Sequence, residues 1–368
     1  MKVPFFDLTA QYASIKNDID AAIHSVVEGG YFVGGNPVKE FEATFATQCE
    51  SRYCIGIGNA TDGLFIALKA LGVKPGDEVI TPAWSWISTA EVISLAGAKP
   101  VFVDVDPRYF TISIEAVQAK ITSKTKALMV VHLYGQMVDI EPIVNLCQER
   151  GIKLIEDCSH AHLATRNGRI AGTSGDCGVF SFFPTKNLGA YGDAGCVITD
   201  SEPLAENIRR WANHGGLIKD EHLFEGTNSR LDTLQAAILK AKLPHLSKWN
   251  STRRQHAAYY HQLLGDLEEL TLPETRPGCL HIFHQYVIQT NKRDALQKYL
   301  AHAEIQTLIH YPKAIPFEPA YQHLNFSAHD FPVSSTLQDV VLSLPIFPEL
   351  TQGQIEYVCD HIQKFYGK

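Results

Sequence analysis

From Tyr53 onward the chain alternates short apolar runs with helical stretches of about ten residues, and this rhythm restricts it to few architectures. The strand-like runs are YCIGI from Tyr53, DEVITP from Asp77, PVFVDVD from Pro100, KALMVVHLYG from Lys126 and IKLIED from Ile152. Between them lie TDGLFIALKAL, a helical pattern near Ile87 to Ala96, SIEAVQAKI, and another helical pattern near Ile140 to Arg150. Strands that alternate with helices build a parallel sheet covered on both faces, with ligands at the carboxyl ends of the strands. The reading is therefore an α/β fold.

The flanks differ in texture. Thr9 is placed to cap a helix from about Ala10 to Glu28, with Ile15, Ile19, Ala22, Ile23, Val26 and Val27 on one face and Gly29 and Gly30 as its stop. A second helix is expected over Pro37 to Gln48. After Asp200 helices dominate: PLAENIRRWANHG, RLDTLQAAILKAKLPHL and a long one from Trp249 to about Leu264. TLPETRPG, Thr271 to Gly278, has boundary composition. Beyond it, HIFHQYVIQT and IQTLIHYP read as strands around the helix RDALQKYLAHA. The expected division is a large α/β domain over 1–245, with an N-terminal helical segment, and a small α+β domain over 246–368.

Composition narrows the function. A net charge of -8 and 45% hydrophobic residues give no basic footprint for nucleic acid. MKVPFFDLTAQY lacks a signal-length apolar core and no window suits a membrane helix, so a cytoplasmic protein with no membrane partner is expected. The eight cysteines contain no C-x-x-C pair and read as buried free thiols. The 16 histidines are scattered without a metal-ligand spacing, so no metal site is expected.

Chemistry concentrates in GVFSFFPTKNLGAYGDAG, Gly178 to Gly195. Val179 to Phe183 reads as a buried strand, followed at once by Lys186 and then by Gly189, Gly192 and Gly195, where backbone can approach a bound group closely. A lysine partly stripped of water at the end of an apolar strand favours its neutral amine, a nucleophile toward carbonyls. An ordinary solvated loop lysine is the common alternative, so partners must be sought. GIGNATDGL joins a strand to a helix, and the free amides around Asn59, Ala60 and Thr61 offer an anion site. A turn capped by Thr61 or Asp62 is the competing reading, and Thr61 breaks the glycine pattern of a dinucleotide site. Asp157 lies just past a strand, where a carboxylate caps a helix or holds a ring nitrogen protonated. PAWSWISTA brings Trp84 and Trp86 to the end of another strand, as core filling or as a plate for a planar ligand. An amine, a carboxylate, an anion-binding helix start and an aromatic plate on one sheet edge meet the needs of pyridoxal 5′-phosphate.

The order GNATDGL, TPAWSW, IEDCSHAHLA, SFFPTKNLGAYGDAG and GTNSRLDTLQAAIL resembles the DegT/DnrJ/EryC1/StrS family of pyridoxal-phosphate sugar aminotransferases, from VPFFDL through IHYP. The resemblance implies the aspartate-aminotransferase fold, a homodimer with shared active sites, and transfer of an amino group from L-glutamate to a keto sugar on a nucleotide, with 2-oxoglutarate released. It makes Lys186 the lysine that bonds the cofactor, Asp157 the partner of its ring nitrogen and Trp86 its stacking plate. It also makes Ser181, Ala60 and Thr61 phosphate binders and sends Asn228 to the neighbouring subunit's phosphate. His160 stands near the phenolic oxygen, where most members carry glutamine, and Leu163 replaces a common glycine. The lysine block is closest to members acting on carbon 3 of dTDP-3-keto-6-deoxyhexoses, with carbon 4 or a UDP-3-keto sugar as alternatives. A family dehydratase would lack Lys186, and a cofactor-binding regulator would carry an extra DNA-binding module.

Overall fold

A computed structural model describes residues 1–368. Its centre is a seven-stranded sheet of β1 (Tyr53–Ile57), β2 (Glu78–Pro82), β3 (Lys99–Val103), β4 (Thr125–Val131), β5 (Lys153–Asp157), β6 (Cys177–Ser181) and β7 (Gly195–Thr199), in the order β1-β7-β6-β5-β4-β2-β3. The neighbours from β6 through β3 pair in parallel, whereas β7 runs antiparallel to both β1 and β6. Sequence alternation correctly gives a mostly parallel sheet but misses β7. GCVIT follows the glycine-rich lysine block with no helix between, so it returns as an antiparallel partner instead of crossing over.

Alternate strand residues feed two cores. Leu154, Phe180, Cys196 and Ile198 pack on one face with Phe41 and Phe45, whereas Ile155, Val179 and Val197 pack on the other with Leu64, Ile66, Val92 and Ile208. Both faces are covered, which is why the strands read as unbroken apolar runs. A third core joins the helices Leu246–Leu264, Arg293–His302 and Gln352–Phe365 to the antiparallel pair β8 (Tyr286–Gln289) and β9 (Val341–Leu344).

Several local expectations are corrected. The first helix is two, Leu8–Ser14 and Lys16–Gly29, because Ile15 leaves helical geometry (φ -129°) between them. Its cap is Asp7, whose Oδ1 accepts from Ala10 N at 2.9 Å, in place of Thr9; Gly30 ends the second piece at φ 69° as expected. The next helix starts at Asn36, with Pro37 in its first turn. The strand of the lysine block is Cys177–Ser181, two residues earlier than its apolar run suggests. HIFHQYVIQT is strand only over Tyr286–Gln289. IQTLIHYP forms no regular strand; it makes single bridges from Ile305 to Val3 and from Leu308 to Ser343. All eight cysteines are free and all but the half-buried Cys279 are buried, as their sequence contexts indicate.

Candidate active site

The parallel strands end on one edge. Asp157 pairs with Val131 on one side and Val179 on the other, and Gly195 faces both Ser181 and Ile57, so four strand ends meet at one level. Above them lies a cavity of about 680 Å³ lined by Asn59, Ala60, Thr61, Trp86, Asp157, His160, Ser181 and Lys186. Sequence reasoning named all eight, and the fold brings them together. Asn228 does not line this cavity; it is exposed and bridged to Asn213.

Two glycines set the geometry. A Cβ on Gly195 would stand 2.8 Å from Ala60 N, so only glycine lets β7 lie against the start of the helix Ala60–Ala70. A Cβ on Gly189 would meet Pro184 O at 2.2 Å, which keeps the turn after Lys186 tight. That turn is held by Lys186 N donating to Phe183 O at 2.9 Å and by the buried Lys242 ammonium donating to Gly189 O at 2.8 Å.

The helix start is capped by Asn59, whose Oδ1 accepts from Asp62 N at 2.9 Å, so neither Thr61 nor Asp62 is the cap. Ala60 and Thr61 N–H find no acceptor within the protein, and the Thr61 hydroxyl lies 2.9 Å from Ser88 Oγ. Open amides at the positive end of a helix beside two hydroxyls form a seat for a phosphate.

Lys186 is half-buried, and burial brings its amine down to about 8, against the opposing pull of the Asp157 charge. Asp157 is not a helix cap; its Oδ1 accepts from Ser159 N at 2.9 Å. Burial raises the Asp157 carboxyl above its usual value, while the Ser159 bonds and Lys186 work against that rise. A buried carboxylate short of a cation is suited to a ring N–H⁺, and a desolvated amine to an aldehyde. Trp84 is core, donating Nε1 to Tyr134 Oη at 2.9 Å, whereas Trp86 is 59% exposed and lines the cavity with its ring tilted against Tyr311, centroids 5.9 Å apart. The residues present thus fit pyridoxal phosphate at each of its parts.

His160 accepts from Tyr134 N at 3.3 Å and lies against His284, with ring centroids 4.4 Å apart. Burial first drives both rings well below their ordinary value, with Lys186 next in effect on His160 and His160 next in effect on His284. His284 Nδ1 lies 3.0 Å from Asn187 Oδ1; Asn187 in turn donates to Asn250, and Asn250 to His162 O, both at 2.8 Å. Sequence reasoning missed His284, Gln285, His310 and Tyr311, which line the cavity from the C-terminal half. Their only signal was polar residues inside HIFHQYV and LIHYP, strings treated as strands.

The trio His132, Glu156 and Cys158 has the spacing of a metal site, but the lone pairs of the histidine and the glutamate are engaged. Glu156 Oε1 accepts from Ser174 and Gly175 N at 2.7 Å each, and Oε2 takes Gly172 N at 3.0 Å and His132 Nε2 at 2.7 Å. His132 Nδ1 accepts from Val138 N at 3.2 Å.

Fold and cavity together define an aminotransferase of the pyridoxal-phosphate type. The chain belongs to the DegT/DnrJ/EryC1/StrS aminotransferase family, whose model matches residues 13–363, and it is a PLP-dependent sugar aminotransferase. It is 45% identical to a "Pleiotropic regulatory protein" of Geobacillus stearothermophilus, over 100% of this chain and 99% of that one. It is 42% identical to a UDP-N-acetyl-3-dehydro-alpha-D-glucosamine 3-aminotransferase of Acidithiobacillus ferrooxidans (98% and 97% covered). Identity is 40% to a dTDP-3-amino-3,6-dideoxy-alpha-D-galactopyranose transaminase of Aneurinibacillus thermoaerophilus (99% and 99%). Among solved structures, DesV of S. venezuelae with a ketimine intermediate superposes at TM-score 0.98, with 38% identity over 100% of this chain and 99% of that one. No helix is long and apolar enough to cross a membrane.

Proposed function

We propose that this chain moves an amino group from L-glutamate to carbon 3 of a nucleotide-linked keto sugar, a dTDP-3-keto-6-deoxyhexose. The observation that carries the reading is the joint placement of Lys186, Asp157 and the open helix start around Ala60 in one cavity. Bound pyridoxal phosphate supplies an electron sink and a carrier for the amino group between the two half-reactions. Lys186 would hold the cofactor through its amine and would serve as the acid and base for proton transfer at the donor's α-carbon, with its depressed basicity placing the amine near its working pH. Asp157 would keep the ring nitrogen protonated, Trp86 would offer a stacking plate, and His160 would serve the phenolic oxygen. Asn59, Ala60, Thr61 and Ser181 seat the phosphate.

The cavity wall has Lys186 as its one lysine and contains no arginine. A dicarboxylate donor and a nucleotide diphosphate both call for cations. A second copy of the chain would meet that need, and the exposed Asn228 would then reach its neighbour's phosphate, so a homodimer with shared sites is part of this reading. The relatives named for carbon 3 carry either dTDP or UDP, and a UDP-3-keto sugar is the alternative substrate. The catalytic lysine in the pocket favours an enzyme over a regulator. Incubation with glutamate and matched 3-keto and 4-keto sugars on each nucleotide tests the reading: amination at carbon 3 supports it, and amination at carbon 4 alone overturns it.

A further inference from the structure

Lys242 closes the helix Thr233–Lys242 and is the one fully buried lysine of the chain. It makes no ion pair; burial brings its ammonium down to about 8, and the Glu349 charge opposes that only from a distance. A buried cation without a carboxylate partner is costly. What faces it is the turn that follows Lys186. Its Nζ donates to Gly189 O at 2.8 Å and lies 4.2 Å from the centre of the Tyr191 ring.

Gln235 reaches the same turn. It stands two helical turns before Lys242, on the same face, and its Oε1 accepts from Tyr191 N at 2.8 Å. A Cβ on Gly192 would come within 2.9 Å of Gln235 Nε2, so the helix and the turn lie in close contact there. On its inner side the turn is closed by its own backbone, with Lys186 N on Phe183 O at 2.9 Å and Ala190 N on Phe182 O at 2.8 Å. The residues that carry Lys186 therefore run between the end of β6 and a helix face that grips Gly189 and Tyr191.

We propose that Lys242, with Gln235 beside it on that face, is a positioning residue for Lys186, fixing the backbone from which the catalytic amine reaches the cavity. This rests on the assignment of Lys186 as the cofactor lysine made above. The charge suits this task better than it suits stability. An ammonium donates a stronger hydrogen bond than a neutral group does and so holds a carbonyl firmly, whereas an apolar side chain would fill the same space without desolvating a charge. Holding the amine in place matters because a misplacement of about 1 Å costs on the order of 10²-fold in rate.

Lys242→Met tests the proposal. The limiting rate of the glutamate half-reaction, followed by the cofactor spectrum, is expected to fall roughly 10-fold, with the half-saturating glutamate concentration within about twofold of wild type. In the apoprotein, pyridoxal phosphate and borohydride should label Lys186 several-fold more slowly and the other lysines at their wild-type rates, as read by peptide mapping. The urea midpoint should stay at or above the wild-type value, since an unpaired buried charge has been removed. A wild-type limiting rate and a wild-type labelling rate at Lys186 overturn the proposal whatever the midpoint. Should the Met variant fail to fold, Gln235→Met, which strands no charge, is expected to show the same pattern more weakly, and wild-type rates in it overturn the proposal. A wild-type protein whose Lys186 takes no label overturns the parent assignment and this one together, whereas a labelled wild type with an unaffected Lys242→Met overturns this one alone.

Discussion

His132 Nε2 donates to Glu156 Oε2 at 2.7 Å, with both side chains fully buried, immediately behind the strand end that carries Asp157. The His132 amide also donates to Asp157 O at 3.0 Å, so the pair braces the residue assigned to the ring nitrogen. Although burial opposes it, the His132 bond and the Gly172 and Gly175 amides hold the Glu156 carboxyl below its usual range. A carboxyl depressed on folding contributes stability above its unfolded pKa, and that contribution is lost as pH falls through its lower folded value.

Glu156→Ala should therefore cost about 3–5 kcal/mol, since it strands an imidazole and three amides in the interior. Urea unfolding of the apoprotein measures this. The variant should also lose part of the wild-type decline in stability on acidification.

Lys186 gives a second pH signature. Its folded value of about 8 lies below the ordinary 10.5, so the unfolded chain binds more protons between these values and apoprotein stability rises with pH across that window. Lys186→Met should abolish turnover and stabilise the neutral apoprotein by about 2 kcal/mol, once partial exposure to the cavity is allowed for. The rise between about 8 and 10.5 should flatten in that variant; a smaller slope of the same sign remains from Lys242, brought by burial to about 8 as well. Denaturation midpoints at several pH values check both points.

Asp157→Asn keeps the shape of the side chain and removes its charge. It should retain the cofactor but slow both half-reactions on the order of 10²-fold or more, since the ring nitrogen is no longer held protonated. Single-turnover spectra with glutamate provide the measurement. An unchanged rate would remove Asp157 from the reaction.

Asn59→Ala should cost about 1 kcal/mol through loss of the helix cap. It should also weaken cofactor retention several-fold, because the Ala60 and Thr61 amides lose their fixed direction. Dialysis followed by titration with pyridoxal phosphate reports the second effect.

Much of the cavity was legible because its residues sit at strand ends, where chain rhythm alone locates them: Asp157 closing KLIED, Ser181 closing CGVFS with Lys186 shortly beyond it, and Asn59 to Thr61 after YCIGI. Asn59 was visible as a polar residue before a helix, yet its capping role went to Thr61 or Asp62, because the cap depends on which residue leaves helical geometry, here Asn59 at φ -166°. The wall built from the C-terminal half was not legible. His284, Gln285, His310 and Tyr311 reach the cavity through packing between distant segments, such as Trp84 Nε1 on Tyr134 and the Tyr134 hydroxyl on His310 O. No local periodicity encodes that. Leu163, flagged only as a departure from a family glycine, takes the left-handed conformation (φ 63°) that the glycine would favour.

The most direct test of the central claim is borohydride reduction of the purified, cofactor-loaded protein followed by peptide mapping. A pyridoxyl group on the ε-amine of Lys186, with loss of the visible absorbance, is the predicted result. A protein that remains colourless after addition of pyridoxal phosphate, or a label on any other lysine with Lys186 unmodified, would contradict it.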